Sequence, residues 1–165
     1  LAGGSMGLGY PGAVGLTLAK KLKGEEGKVY VLMSDGEMQC GTTWESALIA
    51  THYQLDNLVV IVDDNGFQAM GKTNEVLNIE PLRDKWLDFG WSVTKIDGHS
   101  FEKIEHALGG EAKNEFRKLS QAPEIIIANT TKGKGVSFME NNNLYHYKNL
   151  SEDEYLLAVK ELNRD

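Results

Sequence analysis

Cysteine is almost missing from this 165-residue sequence: Cys40 stands alone, which excludes an intrachain disulfide and a multi-cysteine zinc centre. A lone thiol fits a reducing compartment such as the cytoplasm. Proline is scarce, with 3 residues, so a polyproline linker or collagen-like fibre is not available. Positive charge is not in excess: 17 Lys+Arg face 24 Asp+Glu, a net charge of −7. That balance argues against nucleic-acid or anionic-membrane partners, which need a basic face. No apolar run approaches the roughly 18 residues of a membrane span, and no signal peptide is visible. Internal repeats, low-complexity tracts and composition breaks are also missing, so one domain over 1–165 is expected.

What is present is an average globular composition, 41% hydrophobic and 25% charged, together with 18 glycines. The first twelve residues, LAGGSMGLGYPG, form a glycine-rich loop. Residues 13–23 (AVGLTLAKKLK) have helical spacing, lysines in the last turn and Gly24 beyond, the signature of a capped amphipathic helix. Residues 28–33 (KVYVLM) and 57–62 (NLVVIV) read as buried strands, with a helix over 42–55 between them. Pro81 opens a helix stopped by Gly90, residues 91–96 form a strand, and Ser100 caps a helix reaching about 108. A helix over 111–120, a strand over 124–128 and a terminal helix at about 151–163 complete the pattern. The last of these begins with a Ser151/Glu154 capping box. Strands that are continuous apolar runs, alternating with helices, predict an α/β domain. Its expected architecture is a three-layer open, mainly parallel sheet with helices on both faces.

Two groups of residues could carry chemistry. Gly7-x-Gly9-x-x-Gly12 opens a helix and matches a dinucleotide loop, with Asp35 as its acidic residue. That fingerprint also demands a strand directly before it, and a glycine turn for close helix packing remains an equal reading. Ser34-Asp35-Gly36-Glu37 and Asp63-Asp64-Asn65-Gly66 end consecutive strands. In a parallel sheet both emerge on the carboxyl edge, where ligands bind. Asp35 and Asn65 could converge there as hard oxygen ligands for Mg2+ or Ca2+, with diphosphate oxygens completing the shell. Ordinary turn chemistry is the competing reading for each residue taken singly.

Several longer segments carry a resemblance: Ser34 to Glu45 (SDGEMQCGTTWE), 52–58 (HYQLDNL), 62–68 (VDDNGFQ), 97–99 (DGH) and 131–142 (TKGKGVSFMENN). In this order they resemble the transketolase family, and more closely the N-terminal, diphosphate-binding subunit of split transketolases. The resemblance implies the thiamin diphosphate-binding fold of the PP domain. It implies a metal held by Asp35, Asn65 and the Phe67 carbonyl, and cofactor contacts from Gly4, Ser5, Met6, Gly7, Ser34, Asp35, Gly36, Glu37 and Asn65. It also implies catalytic roles for His146, approaching cofactor and substrate, and for Glu45, in an interface carboxylate network.

The implied cofactors are thiamine diphosphate and Mg2+ (or Ca2+). The implied reaction is ketol transfer between sugar phosphates, as in the pentose phosphate pathway. It would take place in a cytoplasmic hetero-oligomer whose second subunit carries the pyrimidine-binding and C-terminal domains. The sequence departs from the family at Ser34 (usually Gly), at Cys40 (usually Glu) and at Tyr145 and Tyr147 around His146. It also begins at the glycine loop, without the family's usual upstream segment and its histidines. Two alternatives therefore stay open: a non-catalytic cofactor-binding or assembly subunit (or a fragment of such an enzyme), and an NAD-binding Rossmann domain.

Overall fold

The computed structural model describes residues 5–109 and 121–163. In chain order the elements are α1 (Gly9–Lys23), β1 (Val29–Ser34), a 3-10 turn (Asp35–Gln39), α2 (Gly41–His52), β2 (Leu58–Asp64), β3 (Phe67–Gln68), β4 (Gly71–Lys72), α3 (Thr73–Val76) and α4 (Leu82–Asp88). They continue with β5 (Ser92–Asp97), α5 (Phe101–Leu108), β6 (Glu124–Asn129), a second 3-10 turn (Asn143–His146) and α6 (Glu152–Leu162). The helix expected over 111–120 lies outside the described residues.

The main sheet has the order β1-β2-β6-β5 and is parallel throughout. Successive residues of a strand point to opposite faces, which explains the unbroken apolar runs. Val60 and Val62 of β2 and Ile125 and Ile127 of β6 enter one core with Tyr10 and Val14 of α1, Ala47 and Ala50 of α2, and Trp86 of α4. Val59, Ile61 and Ile126 pack on the other face against Ala107 and Leu108 of α5. Helices thus cover both faces, as expected. Each fully buried Val, Leu or Ile contributes about 1.5–3 kcal/mol.

The larger core centres on aromatics. Trp86 meets Trp91 edge-on at 4.8 Å and Tyr10 at 6.4 Å, and Trp44 lies 5.2 Å from Trp86. Trp91 donates from Nε1 to the Ala47 carbonyl (3.2 Å) and Trp44 to the Met38 carbonyl (2.9 Å), so these rings tie α2 and the Asp35 turn to the core.

Two differences from the sequence reading concern the glycines and the loops. Helix α1 starts at Gly9 rather than at residue 13, because Pro11 fits a first helical turn, where its missing N–H is not needed. Gly9 and Gly12 are therefore helical, and of the glycine pattern only Gly7 takes a positive φ, 78°. Between Asn65 and Pro81, where the sequence suggested no regular element, lie the β3–β4 hairpin and α3. The Ser100 cap and the Ser151/Glu154 capping box are both formed. The register levels the strand ends: Ser34 pairs with Asp63, and Asp63 with Ala128. The two polar motifs therefore leave the same edge side by side.

Candidate cofactor and metal site

Asp35 is the hub of that edge. Its side chain is 1% exposed and accepts three hydrogen bonds. Gly36 N–H donates to Oδ1 (2.8 Å), while Gly66 N–H (2.9 Å) and the Thr73 hydroxyl (2.8 Å) donate to Oδ2. One carboxylate thus joins the turn after β1, the turn after β2 and the start of α3. Burial pushes its pKa above the usual carboxylate range, and the bonds from Thr73, Gly36 and Gly66 pull the other way.

Asn65 is oriented by its neighbours. Its Nδ2 donates to Asp63 Oδ2 (2.9 Å) and its Oδ1 accepts from Phe67 N–H (2.9 Å). Asp63 is itself held by the Thr130 hydroxyl. Because Asp63 can only accept here, it fixes which end of the Asn65 amide is oxygen. Gly66 has φ 75°, the conformation that turns the chain from β2 toward β3. Burial also pushes Asp64 up, opposed by Lys95 at 3.8 Å.

The glycine loop meets this hub through the 3-10 turn. Gly7 N–H donates to Glu37 Oε1 (3.2 Å), and the Thr42 hydroxyl donates to the Gly7 carbonyl (2.9 Å). Burial pushes Glu37 up, and burial with the neighbouring Glu37 charge pushes the Cys40 thiol up. Ser34, where the family has glycine, uses its hydroxyl to accept from Glu37 N–H (3.2 Å), capping the turn. Ser5 and Met6 are exposed beside Gly7, and Gly4 lies outside the described residues.

The structure brings together Gly7, Ser34, Asp35, Gly36, Glu37 and Asn65, with Phe67 two residues further along the chain. It does not bring Glu45 among them: Glu45 is exposed on the outer face of α2. His146 is exposed, edge-on to Tyr147 at 4.9 Å. Its 3-10 turn docks on the hairpin after Asn65, because Asn143 Nδ2 donates to the Ala69 carbonyl (3.2 Å). The far side of that turn is tied to α6 by Lys148 and Tyr145, which both bond Glu154; Lys148, the Ser151 N–H and Tyr145 together lower the Glu154 pKa to about 2. Sequence reasoning missed Thr73, Thr42 and Gln68. Thr73 lies 38 positions from Asp35, and no local pattern signals a contact of that range.

The residues present suit a diphosphate held through a hard cation. Asp35, Asn65 and the Phe67 carbonyl supply oxygens, each with a lone pair left beyond the bonds described. Gln68 is 7% exposed, lies 3.1 Å from where a Cβ on Gly36 would sit, and leaves its Nε2 donor without a partner. Its Cβ and Oε1 are the atoms that face Gly36, so the side chain packs against the bare backbone there. Helix α1 also opens with no side-chain cap and no acid in its first turn, which leaves its N-terminal dipole for negative charge.

Parallel strands ending in an Asp-Gly turn and an Asp-Asn-Gly turn, locked by one buried carboxylate, form a polar edge of the kind where parallel sheets bind ligands. The chain belongs to the transketolase family: the family described as "Transketolase, thiamine diphosphate binding domain" matches residues 2–164. It is 42% identical over 159 residues to one subunit of the apulose-4-phosphate transketolase of Actinobacillus succinogenes, covering 96% of this chain and 55% of that protein. It is 38% identical over 162 residues to the 6-deoxy-6-sulfo-D-fructose transketolase subunit SqwG of a Clostridium species, covering 98% and 57%. The crystal structure of transketolase from Campylobacter jejuni superposes with a TM-score of 0.87 at 30% identity, over 100% of this chain and 26% of that one. The chain thus spans little more than half the length of the subunit relatives. No helix among the described residues is long and apolar enough to cross a membrane.

Proposed function

We propose that this chain holds the diphosphate end of thiamine diphosphate through Mg2+ or Ca2+. In this reading it is one part of a transketolase-type transferase, moving a two-carbon ketol unit from a ketose phosphate to an aldose acceptor. The observation that carries the reading is Asp35, a 1%-exposed carboxylate tying three loops together at the strand edge. Asp35, the Asn65 amide oxygen and the Phe67 carbonyl are the proposed metal ligands. Thr73 fixes the Asp35 carboxylate and Asp63 fixes the Asn65 amide, so the ligands are oriented before metal arrives.

When bound, thiamine diphosphate supplies the carbanion chemistry, and the protein supplies position and electrostatics. Gly36 keeps the backbone bare where phosphate oxygens approach, and Ser5, Met6 and Gly7 border the cofactor. His146, on a turn held from both sides, is the proposed group that reaches cofactor and substrate. Glu45, on the outer face of α2, is proposed to join a carboxylate network across a subunit contact.

A second chain is proposed to bring the pyrimidine-binding domain. The subunit names of the relatives support this, and so do the exposed Met6 and Leu8 at the glycine loop, Met70 at the hairpin tip and Tyr147 beside His146. A cytoplasmic setting suits the free Cys40. The nicotinamide reading is disfavoured by Asp35, which is buried with its bonds made to Gly36, Gly66 and Thr73 rather than free to reach a ribose.

The test is reconstitution: the chain, its co-purifying partner, Mg2+ and thiamine diphosphate, assayed for ketol transfer from a ketose phosphate. Turnover that requires both chains supports the reading. Cofactor binding without turnover, partner included, would leave a non-catalytic assembly protein. NAD(H) binding that chelator does not touch would leave a Rossmann domain.

A further inference from the structure

The peptide units around Gly7 are held at both ends. Glu37 accepts its N–H (3.2 Å) and Thr42 donates to its carbonyl (2.9 Å). The residue between these grips must be glycine. Its φ is 78°, and a Cβ there would lie 2.9 Å from Thr42 Oγ1 and 3.2 Å from both Cβ and Sγ of Cys40. Glycine is the residue with the most backbone freedom to lose, so a glycine needed for space is a weak point unless something fixes it. Both grips belong to the segment that starts at Asp35: Glu37 in its 3-10 turn and Thr42 in the first turn of α2. The same stretch therefore holds the proposed metal ligand and sets the height and tilt of the exposed Ser5–Met6 rim above it.

We infer that Thr42, together with Glu37, is a positioning residue. The pair clasps Gly7 and so places the glycine loop for the organic part of the cofactor, without touching the metal or the diphosphate. This assigns Glu37 an indirect role, through Gly7, in place of direct cofactor contact. It gives Thr42 a role where none was expected. The inference rests on the thiamine diphosphate reading above.

Its consequence is selective. Inorganic diphosphate with Mg2+ needs only the Asp35 hub, whereas thiamine diphosphate with Mg2+ needs the hub and the loop. Removing the Thr42 hydroxyl should weaken the second ligand about tenfold, the order one neutral hydrogen bond is worth, and leave the first within about twofold.

The experiment is calorimetric titration of wild-type chain, Thr42→Val and Thr42→Ser with each ligand in Mg2+. Amide hydrogen exchange of Gly7 in the ligand-free chain is measured alongside. The expected result is a loss confined to thiamine diphosphate in Thr42→Val, recovery in Thr42→Ser, and faster Gly7 exchange in Thr42→Val only. Equal loss of both ligands would show a merely structural role, and no loss of either would show an idle contact. Failure of Thr42→Ser to recover would remove the hydroxyl as the cause. Each of these three results overturns the inference and leaves the cofactor reading standing. A wild-type chain that binds inorganic diphosphate but not thiamine diphosphate overturns the reading and the inference with it.

Discussion

Thr73→Val removes one hydroxyl and keeps the side-chain shape. Thr73 is 3% exposed and its hydroxyl donates to Asp35 Oδ2 at 2.8 Å, inside a site where water cannot replace it. A hydrogen bond to a charged buried group is worth about 1.5–3 kcal/mol. At the roughly 2–4 °C per kcal/mol of a domain this size, the melting temperature should fall by about 3–12 °C. The bond also favours ionised Asp35, so losing it raises that pKa further and moves the acid limit of metal binding to higher pH. Urea denaturation, read by tryptophan fluorescence, and Mg2+-dependent diphosphate binding across pH check both effects, with Thr73→Ser as the rescuing control. A Thr73→Val protein within about 0.5 kcal/mol of wild type would refute the hub role, because that is the size of an ordinary surface change.

Gly7→Ala should destabilise by about 1–3 kcal/mol, since the new Cβ meets Thr42 Oγ1 at 2.9 Å in a positive-φ conformation; chemical denaturation measures it. Trp86→Ala, which empties the aromatic core under α4, should cost about 3–5 kcal/mol by the same method. Asp35 has a raised folded-state pKa, so without metal its contribution favours the fold at low pH and is lost as pH rises through that value. Mg2+ with diphosphate binds the ionised form and should reverse the trend, so the ligand-induced rise in melting temperature should shrink as the pH falls toward the raised pKa of Asp35. Thermal scans of wild type and Asp35→Asn, with and without ligand, show whether that pH dependence belongs to Asp35.

That the Asp35 and Asn65 turns leave one edge was legible because apolar runs define parallel strands, and consecutive parallel strands end on one edge. The register of Ser34 with Asp63 sets those two strand ends level. The capping residues Ser100 and Ser151 were equally legible, since a cap is written within four positions. Contacts made across the chain were not. Thr73 reaches Asp35 and Thr42 reaches Gly7 over more than thirty positions, and nothing local in either threonine marks it. The start of α1 was misplaced because glycine has low helix propensity, while the packing of Tyr10 and Val14 in the core overrides it. The Ser34 hydroxyl also caps the 3-10 turn, a role the sequence reading did not assign it.

The most direct measurement is a calorimetric titration of thiamine diphosphate into the chain with Mg2+, repeated with EDTA and with Asp35→Ala. Binding that needs the metal and disappears in Asp35→Ala is the expected result. Thiamine diphosphate binding of equal strength in EDTA, or in Asp35→Ala, would contradict a metal-anchored diphosphate at this strand edge.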